Sequence, residues 1–301
     1  MIGITLGDPG GIGIEVVLRA LPHFDKAFIL FGNKKAVEYY SHRLNLPLPK
    51  NARIVNIQGN FKVGEISAEN GKIAYNSIIE GIKAVRDGVC KAIVTAPIHK
   101  KAMHLAGYNY PGHTELFAEK LFCDRYAMMM VSDNMKVIFV TTHIPISVVS
   151  SILSKEEVIQ KVKLAQVNLK HYWGITSPSF GILGLNPHAG DSGLFGTEEI
   201  KILKPAIREL KEKGFNVEGP FPPDTYWVSE KKDCTVALYH DQGMIPFKLM
   251  SYGRGVNVTL GLPFPRTSPD HGTAFDIVGK GLANFGSMEK AIELAIFMSN
   301  A

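Results

Sequence analysis

The chain has 301 residues, of which 46% are hydrophobic and 20% charged, an apolar share that excludes a disordered protein and allows about two domains or one large α/β unit. Its 33 Lys and Arg against 28 Asp and Glu leave a net charge of +5, with basic runs no longer than pairs such as Lys34-Lys35, Lys100-Lys101 and Lys231-Lys232, so nothing forms the stripe or arm of a nucleic-acid binder. No run approaches the ~18 apolar residues of a membrane span, and the start Met1-Ile2-Gly3-Ile4-Thr5 lacks a signal-peptide pattern, which predicts a soluble, cytoplasmic protein without a membrane partner.

In chain order, the first strand is predicted over residues 2–6 and leads into a glycine-rich stretch, 7–13. Gly11-Ile12-Gly13-Ile14-Glu15-Val16 resembles a dinucleotide fingerprint but has Val16 at the third glycine position. The next strand, 27–31, ends at Gly32-Asn33 without an acidic residue for a ribose, so a Rossmann site is rejected here. A tight turn, where strand and helix backbones approach closely, is predicted instead. Further strands are predicted over 53–57, 92–95, 126–131, 136–141, 180–185, 235–239 and 256–260. They are hydrophobic at nearly every position, as in a sheet covered on both faces. Cys90, Cys123 and Cys234 are odd in number and lack C-x-x-C spacing, which predicts reduced thiols, with Cys90 and Cys234 buried.

Between strands, Ser154 and Glu157 form a capping-box pattern before a helix whose Val158, Val162, Ala165 and Leu169 share one face. Ile200, Leu203, Ile207 and Leu210 make a second stripe, ended by Gly214. The last helix covers about 288–298. This alternation predicts a mostly parallel α/β architecture without repeats or linkers.

Three histidines stand at matched strand ends. His143 follows 136–141, His188 follows 180–185 through Asn186-Pro187, and His240 directly follows 235–239. Ligands of open α/β sheets bind outside the carboxyl ends of strands, and three neutral imidazoles suit a catalytic divalent metal. Three unrelated loop histidines are the alternative. Asp241 has several open roles: second-shell partner, ligand, proton-transfer group, or helix N-cap. Gly112-His113-Thr114-Glu115 opens a helix whose free N–H groups attract anions. Together with Lys248, Asn257 and Arg266 it matches a phosphate and a carboxylate, although each residue taken singly reads as surface. Asp270-His271-Gly272-Thr273-Ala274-Phe275-Asp276, followed by 279–284, is a shaped segment: a ligand loop or a strained turn.

These segments together resemble the 4-hydroxythreonine-4-phosphate dehydrogenase family of vitamin B6 biosynthesis. The resemblance runs from Gly7-Asp8-Pro9 and Gly11-Ile12-Gly13 through 112–115, Thr142-His143, 186–190 and 239–243. It continues in Asn257-Val258-Thr259-Leu260-Gly261-Leu262-Pro263 and 270–274, and so spans nearly the whole chain. It implies a homodimer with a two-domain α/β fold like isocitrate and isopropylmalate dehydrogenases, with residues 1–112 plus 266–301 in one domain and 113–265 in the other. The active site is then expected in the interdomain cleft near the dimer interface. His143, His188 and His240 become ligands of Zn, Mg or Co, with His240 supplied by the partner subunit. His113, Thr114, Lys248, Asn257 and Arg266 become substrate-binding residues for a small phosphorylated hydroxy acid.

His271, Gly272, Thr273, Ala274, Asp276 and Asn284 resemble the NAD (or NADP) adenosine loop of isopropylmalate dehydrogenases, with Phe275 in place of its usual proline. The chain is short for the family and has Gly10 and Ile14 where alanine and proline are frequent. The activity implied is oxidation of 4-phosphooxy-L-threonine at C3 followed by decarboxylation to 3-amino-2-oxopropyl phosphate, with Asp241 as proton-transfer residue. The alternative is a related dehydrogenase of D-threonate or D-erythronate 4-phosphate. A metal-dependent hydrolase or lyase and a non-catalytic binding module are more distant rivals.

Overall fold

The runs rich in Val, Ile and Phe form strands within one or two residues of where their composition places them. In the computed structural model, which describes residues 1–229 and 232–301, the strands are β1 (Ile2–Thr5), β2 (Phe28–Gly32), β3 (Ala52–Asn56), β4 (Ala92–Thr95), β5 (Ala127–Ser132), β6 (Met135–Phe139), β7 (Ser179–Leu183), β8 (Asn216–Phe221), β9 (Cys234–Ala237), β10 (Val256–Leu260) and β11 (Arg266–Pro269). β8 and β11, with sequences NVEGPF and RTSP, lack an apolar run. Parallel pairing with β7 and β4 makes them strands. Of the basic pair at 231–232, Lys231 lies outside the described residues; Lys232 Nζ donates to Glu218 Oε1 at 2.7 Å.

The chain divides into two units, one of residues 1–124, 253–258 and 262–300, the other of residues 125–252 and 259–261 with Ala301. In the first unit the strand order is β3-β2-β1-β4-β11, parallel throughout. Helix His113–Lys120 and the 262–265 segment, expected with the second domain, group with this unit because Leu116, Phe117, Leu262 and Phe264 pack into the core of Ile29, Phe31, Ile78 and Ile93. Each fully buried side chain of this kind stabilises the unit by ~1.5–3 kcal/mol.

In the second unit the order is β5-β6-β9-β7-β8, parallel except for the β5–β6 hairpin. Its core joins Met130, Val137, Phe139, Leu183, Ala237 and Phe247. Ser154 caps helix Lys155–Trp173 by accepting from the Glu157 amide at 3.2 Å, and Val158, Val162, Ala165 and Leu169 are all fully buried. Ile200 departs from its predicted stripe and is 43% exposed, whereas Leu203, Ile207 and Leu210 are buried. The segment Glu199–Leu203 is a π-helical turn, whose wider winding moves Ile200 off the 3.6-residue face. All three cysteines are free, with Cys90 and Cys234 buried. No helix among the described residues is long and apolar enough to cross a membrane.

Candidate active site

β6, β9 and β7 are parallel neighbours, so their carboxyl ends share one rim of the second unit. Pairing continues past β6 and β9: the Val140 amide donates to the Ala237 carbonyl (2.8 Å), and the Thr141 amide and hydroxyl donate to the Leu238 carbonyl (3.1 and 2.7 Å). His143 and His240 follow directly. Their ring centroids stand 6.0 Å apart, and both line a cavity of about 390 Å³ with Asp241, Thr142, Tyr239 and the apolar Ile144, Ile146 and Val149.

His240 opens helix His240–Ser251, whose N-cap is Tyr239. Asp241 is therefore not the N-cap; its Oδ1 lies 2.6 Å from His240 Nδ1, which leaves the opposite ring nitrogen to face a ligand. Sequence reasoning passes over Gln242, which is buried and joins two strand ends. Its Oε1 accepts from the Leu238 amide (2.7 Å) and its Nε2 donates to the Gly184 carbonyl (2.6 Å). Lys248 is exposed in the last turn of the same helix.

His188 leaves β7 through Asn186-Pro187 into an unusual turn. From His188 to Ser192 the backbone is left-handed, with φ of 53°, 52°, 81°, 39° and 58°. His188, Ala189, Asp191 and Ser192 are not glycines, and for such residues this conformation costs ~1–2 kcal/mol each. The His188 ring is exposed, 6.2 Å from the Phe195 ring centroid. Among the described residues, no three His, Cys, Asp or Glu side chains gather into one ligand cluster. The structure thus brings His143 and His240 together with Asp241 and does not bring His188 into that group. The two imidazoles on this cavity are a donor type that divalent cations take, while the Asp241 carboxylate is engaged with His240.

In the first unit, Arg266 begins β11 and is 1% exposed, in contrast to its reading as surface. Its Nη2 donates to Thr95 Oγ1, and the guanidinium lies 5.8 Å from the Phe117 ring centroid. Burial lowers its pKa to about 9, against the opposing pull of the Glu115 carboxylate. His113 begins the helix after Gly112, and its Nε2 is enclosed without a hydrogen-bond partner among the described residues. Burial, reinforced by the Arg266 charge, holds its pKa well below the ordinary 6.5, so the ring is neutral. Thr114 is buried beside it, and half-buried Asn257 likewise has an enclosed Oδ1 without a partner among the described residues. His113, Thr114 and Arg266 therefore share one electrostatic neighbourhood. Its counter-charge is Glu115, a residue of the quoted motif that received no role from the sequence.

The strand order of the first unit reverses between β1 and β4, the kind of switch point where open α/β sheets bind ligands. The turn after β1 is as close-packed as predicted: a Cβ on Gly7 (φ 68°) would lie 2.2 Å from the Pro97 carbonyl oxygen, and one on Gly13 2.7 Å from that of Leu6. The turn also meets the C-terminal loop, where the Ile12 amide donates to the Thr273 carbonyl at 3.0 Å. In that loop Thr273 is buried, Ala274 has φ 41°, and Phe275 stacks on His99 with centroids 5.1 Å apart. His271 Nδ1 is 3.1 Å from the Gly272 carbonyl, and a Cβ on Gly272 would meet nothing within 4 Å. Asp276 and Asn284 are exposed, the latter accepting from the Gly286 amide at 2.8 Å. Gly272 thus faces open space, and Asp276 is exposed in the same loop.

Asp8 lies in the same turn and is fully buried. Its Oδ1 accepts from the Gly10 amide at 2.8 Å, its Oδ2 has no partner among the described residues, and burial raises its pKa to about 6.

Comparison with known proteins places these features in context. Residues 20–295 match the family model described as pyridoxal phosphate biosynthetic protein PdxA. The chain is 40% identical to the 4-hydroxythreonine-4-phosphate dehydrogenase of Sulfurihydrogenibium sp. over 99% of its own length and 98% of the relative's. It is 39% identical to the D-threonate 4-phosphate dehydrogenase of Pectobacterium atrosepticum, covering 98% of both chains. The crystal structure of 4-hydroxythreonine-4-phosphate dehydrogenase from Klebsiella pneumoniae superposes with a TM-score of 0.89 at 36% identity, covering 100% of this chain and 98% of that one. The fold is of the isocitrate/isopropylmalate dehydrogenase-like α/β class.

Proposed function

Because the chain belongs to the PdxA family of pyridoxal phosphate biosynthetic proteins and is an oxidoreductase, we propose that it oxidises 4-phosphooxy-L-threonine at C3 with NAD or NADP and a divalent metal. The β-keto acid so formed loses carbon dioxide to give 3-amino-2-oxopropyl phosphate. The observation that carries this reading is the match over 99% of the chain to a relative of that name. The buried Arg266 beside a neutral His113 supports it, since a guanidinium in such a place is matched to an anion.

In this reading His143, His188 and His240 hold a Zn, Mg or Co ion, with His240 coming from a second copy of the chain. When bound, the metal supplies Lewis-acid polarisation of the hydroxyl, and the dinucleotide supplies the hydride acceptor. Asp241 orients the His240 ring through its Nδ1 and is the nearest carboxylate for taking up the hydroxyl proton. Arg266 and Lys248 anchor phosphate and carboxylate, Thr114 and Asn257 add neutral hydrogen bonds, and neutral His113 donates or accepts without adding charge. Binding the distal groups in this way aligns the reacting carbon. His271, Gly272, Thr273 and Ala274 cradle the adenosine, while Asp276 and Asn284 take its ribose hydroxyls.

A homodimer follows from the same reading. Helix His240–Ser251 exposes Ile245, Leu249 and Met250, and helix Ile146–Ile152 exposes Ile146 and Ile152, more apolar surface than a solvent-facing helix carries. Three unpaired cysteines suit a reducing compartment, here the cytoplasm.

A second reading has equal sequence support: dehydrogenation of D-threonate 4-phosphate, as the Pectobacterium relative is named. The test compares kcat/KM for the two phosphorylated acids, each with NAD and NADP and with Zn, Mg or Co, following NADH or NADPH absorbance. At least tenfold preference for 4-phosphooxy-L-threonine, abolished by chelation, supports the first reading. Preference for the threonate supports the second, and turnover unchanged after metal stripping removes the metal assignment.

A further inference from the structure

We propose that Glu199 is the positioning residue for His188, holding in place the left-handed turn on which that imidazole is presented. The proposal rests on the reading of His188 as a metal ligand; the turn's own backbone bonds, from the Ala189 amide to the Asn186 carbonyl (3.1 Å) and from the Phe195 amide to the Gly190 carbonyl (3.2 Å), do not tie it to another segment. Five consecutive residues, His188 to Ser192, have positive φ, and only Gly190 among them adopts it without strain. A run of this kind relaxes unless its surroundings over-determine it.

Glu199 provides that determination. Its side chain is 1% exposed, and both carboxylate oxygens are used on the entry to the turn. Oε1 accepts from the Leu185 amide at 2.7 Å and the Asn186 amide at 2.8 Å. Oε2 accepts from Asn186 Nδ2 at 2.9 Å, and that amide group also donates to Glu198 Oε2 at 2.8 Å. Oε2 also lies over the middle of the turn, leaving no room for a side chain there: a Cβ on Gly190 would lie 2.6 Å from it. All three groups that Glu199 binds are N–H donors. A carboxylate accepts from all of them, whereas glutamine would set its own NH2 against one. The π-helical turn Glu199–Leu203 begins at this residue, a distortion that often marks a functional position.

The test uses full-length protein freed of metal, with hydrogen-exchange mass spectrometry over residues 185–195 and titration with Zn2+ as readouts. Glu199→Gln is expected to exchange faster in that segment alone and to bind Zn2+ about 10- to 100-fold more weakly. Adding Ala189→Gly and Ser192→Gly to Glu199→Gln is expected to recover most of that affinity, because glycine accepts positive φ freely. A residue that served only general stability would not be rescued by glycines in the turn. Unchanged exchange at 185–195 in Glu199→Gln overturns the proposal, as does failure of the glycines to restore Zn2+ binding. Should Glu199→Gln not fold, Asn186→Ala releases the same clamp with Glu199 intact and is expected to show the same local exchange; unchanged exchange there also overturns it. His188→Ala separates the premise from the inference. If it binds Zn2+ like the unmodified protein, His188 is not a ligand, and the exchange measurement still decides whether Glu199 holds the turn.

Discussion

The Ile12 amide donates to the Thr273 carbonyl across 3.0 Å and so ties the turn after β1 to the loop proposed to cradle the dinucleotide. Gly11 leaves no room there: a Cβ would lie 2.8 Å from the Thr273 carbonyl oxygen and 2.9 Å from its Cβ. Gly11→Ala must push the loop away, at about 1–3 kcal/mol of stability. Its KM for NAD is expected to rise severalfold with a smaller change in kcat, as read from initial rates at varied NAD. An unchanged KM in a folded but destabilised variant would separate this loop from dinucleotide binding.

Arg266 and Glu115 are predicted to behave as a coupled pair. Arg266→Met retains apolar volume beside Phe117 but leaves the Glu115 carboxylate without its buried counter-charge. Glu115 is half-buried, so leaving its carboxylate without that charge costs about 1–3 kcal/mol. Urea unfolding should show that loss and should show most of it recovered in Arg266→Met/Glu115→Gln. Activity should recover in neither, with kcat/KM down by at least a thousandfold, because the anion anchor is gone from both.

Asp8 gives a pH-dependent prediction. Its pKa is raised from 3.8 to about 6 by burial, so the folded state holds the proton more tightly than the unfolded state. Its contribution to stability is therefore greatest below the unfolded value and is lost as pH rises through about 6. Asp8→Asn keeps an acceptor for the Gly10 amide and has no charge to desolvate. Relative to the unmodified protein it should gain about 1 kcal/mol between pH 5 and pH 8. Denaturant midpoints of both proteins at the two pH values measure this, and a constant difference would exclude Asp8 as the source.

The 2.6 Å contact between Asp241 and His240 predicts a metal phenotype. Asp241→Asn should weaken Zn2+ binding about 10-fold, as loss of an orienting partner does. His143→Ala should weaken it more. Calorimetric titration of metal-free protein reads both, and equal affinities across the three proteins would remove this cavity from metal binding.

Much of this was legible from residue order alone. β-branched and aromatic runs specify strands through local preference, and helix patterns such as Ser154 with Glu157 specify their own ends. Parallel strands place the residues after β6 and β9 on one rim, where His143 and His240 stand 6.0 Å apart within one chain, whereas the resemblance implied that His240 comes from a second copy. The adenosine-like loop and the anion residues were legible as motifs, although their neighbours were not.

What sequence alone determined was the chemistry available: imidazoles at strand ends, an anion-suited helix start, a glycine turn without the third glycine and the acidic residue of a nucleotide fingerprint. Tertiary structure alone decided that Arg266 is buried against Thr95 and Phe117, that Phe275 stacks on His99, that β8 and β11 are strands, and that His188 rides a left-handed turn clamped by Glu199. The physical reason is range. Propensity and periodicity act between residues a few positions apart, whereas a buried charge or a strained turn persists only when partners from distant segments satisfy it.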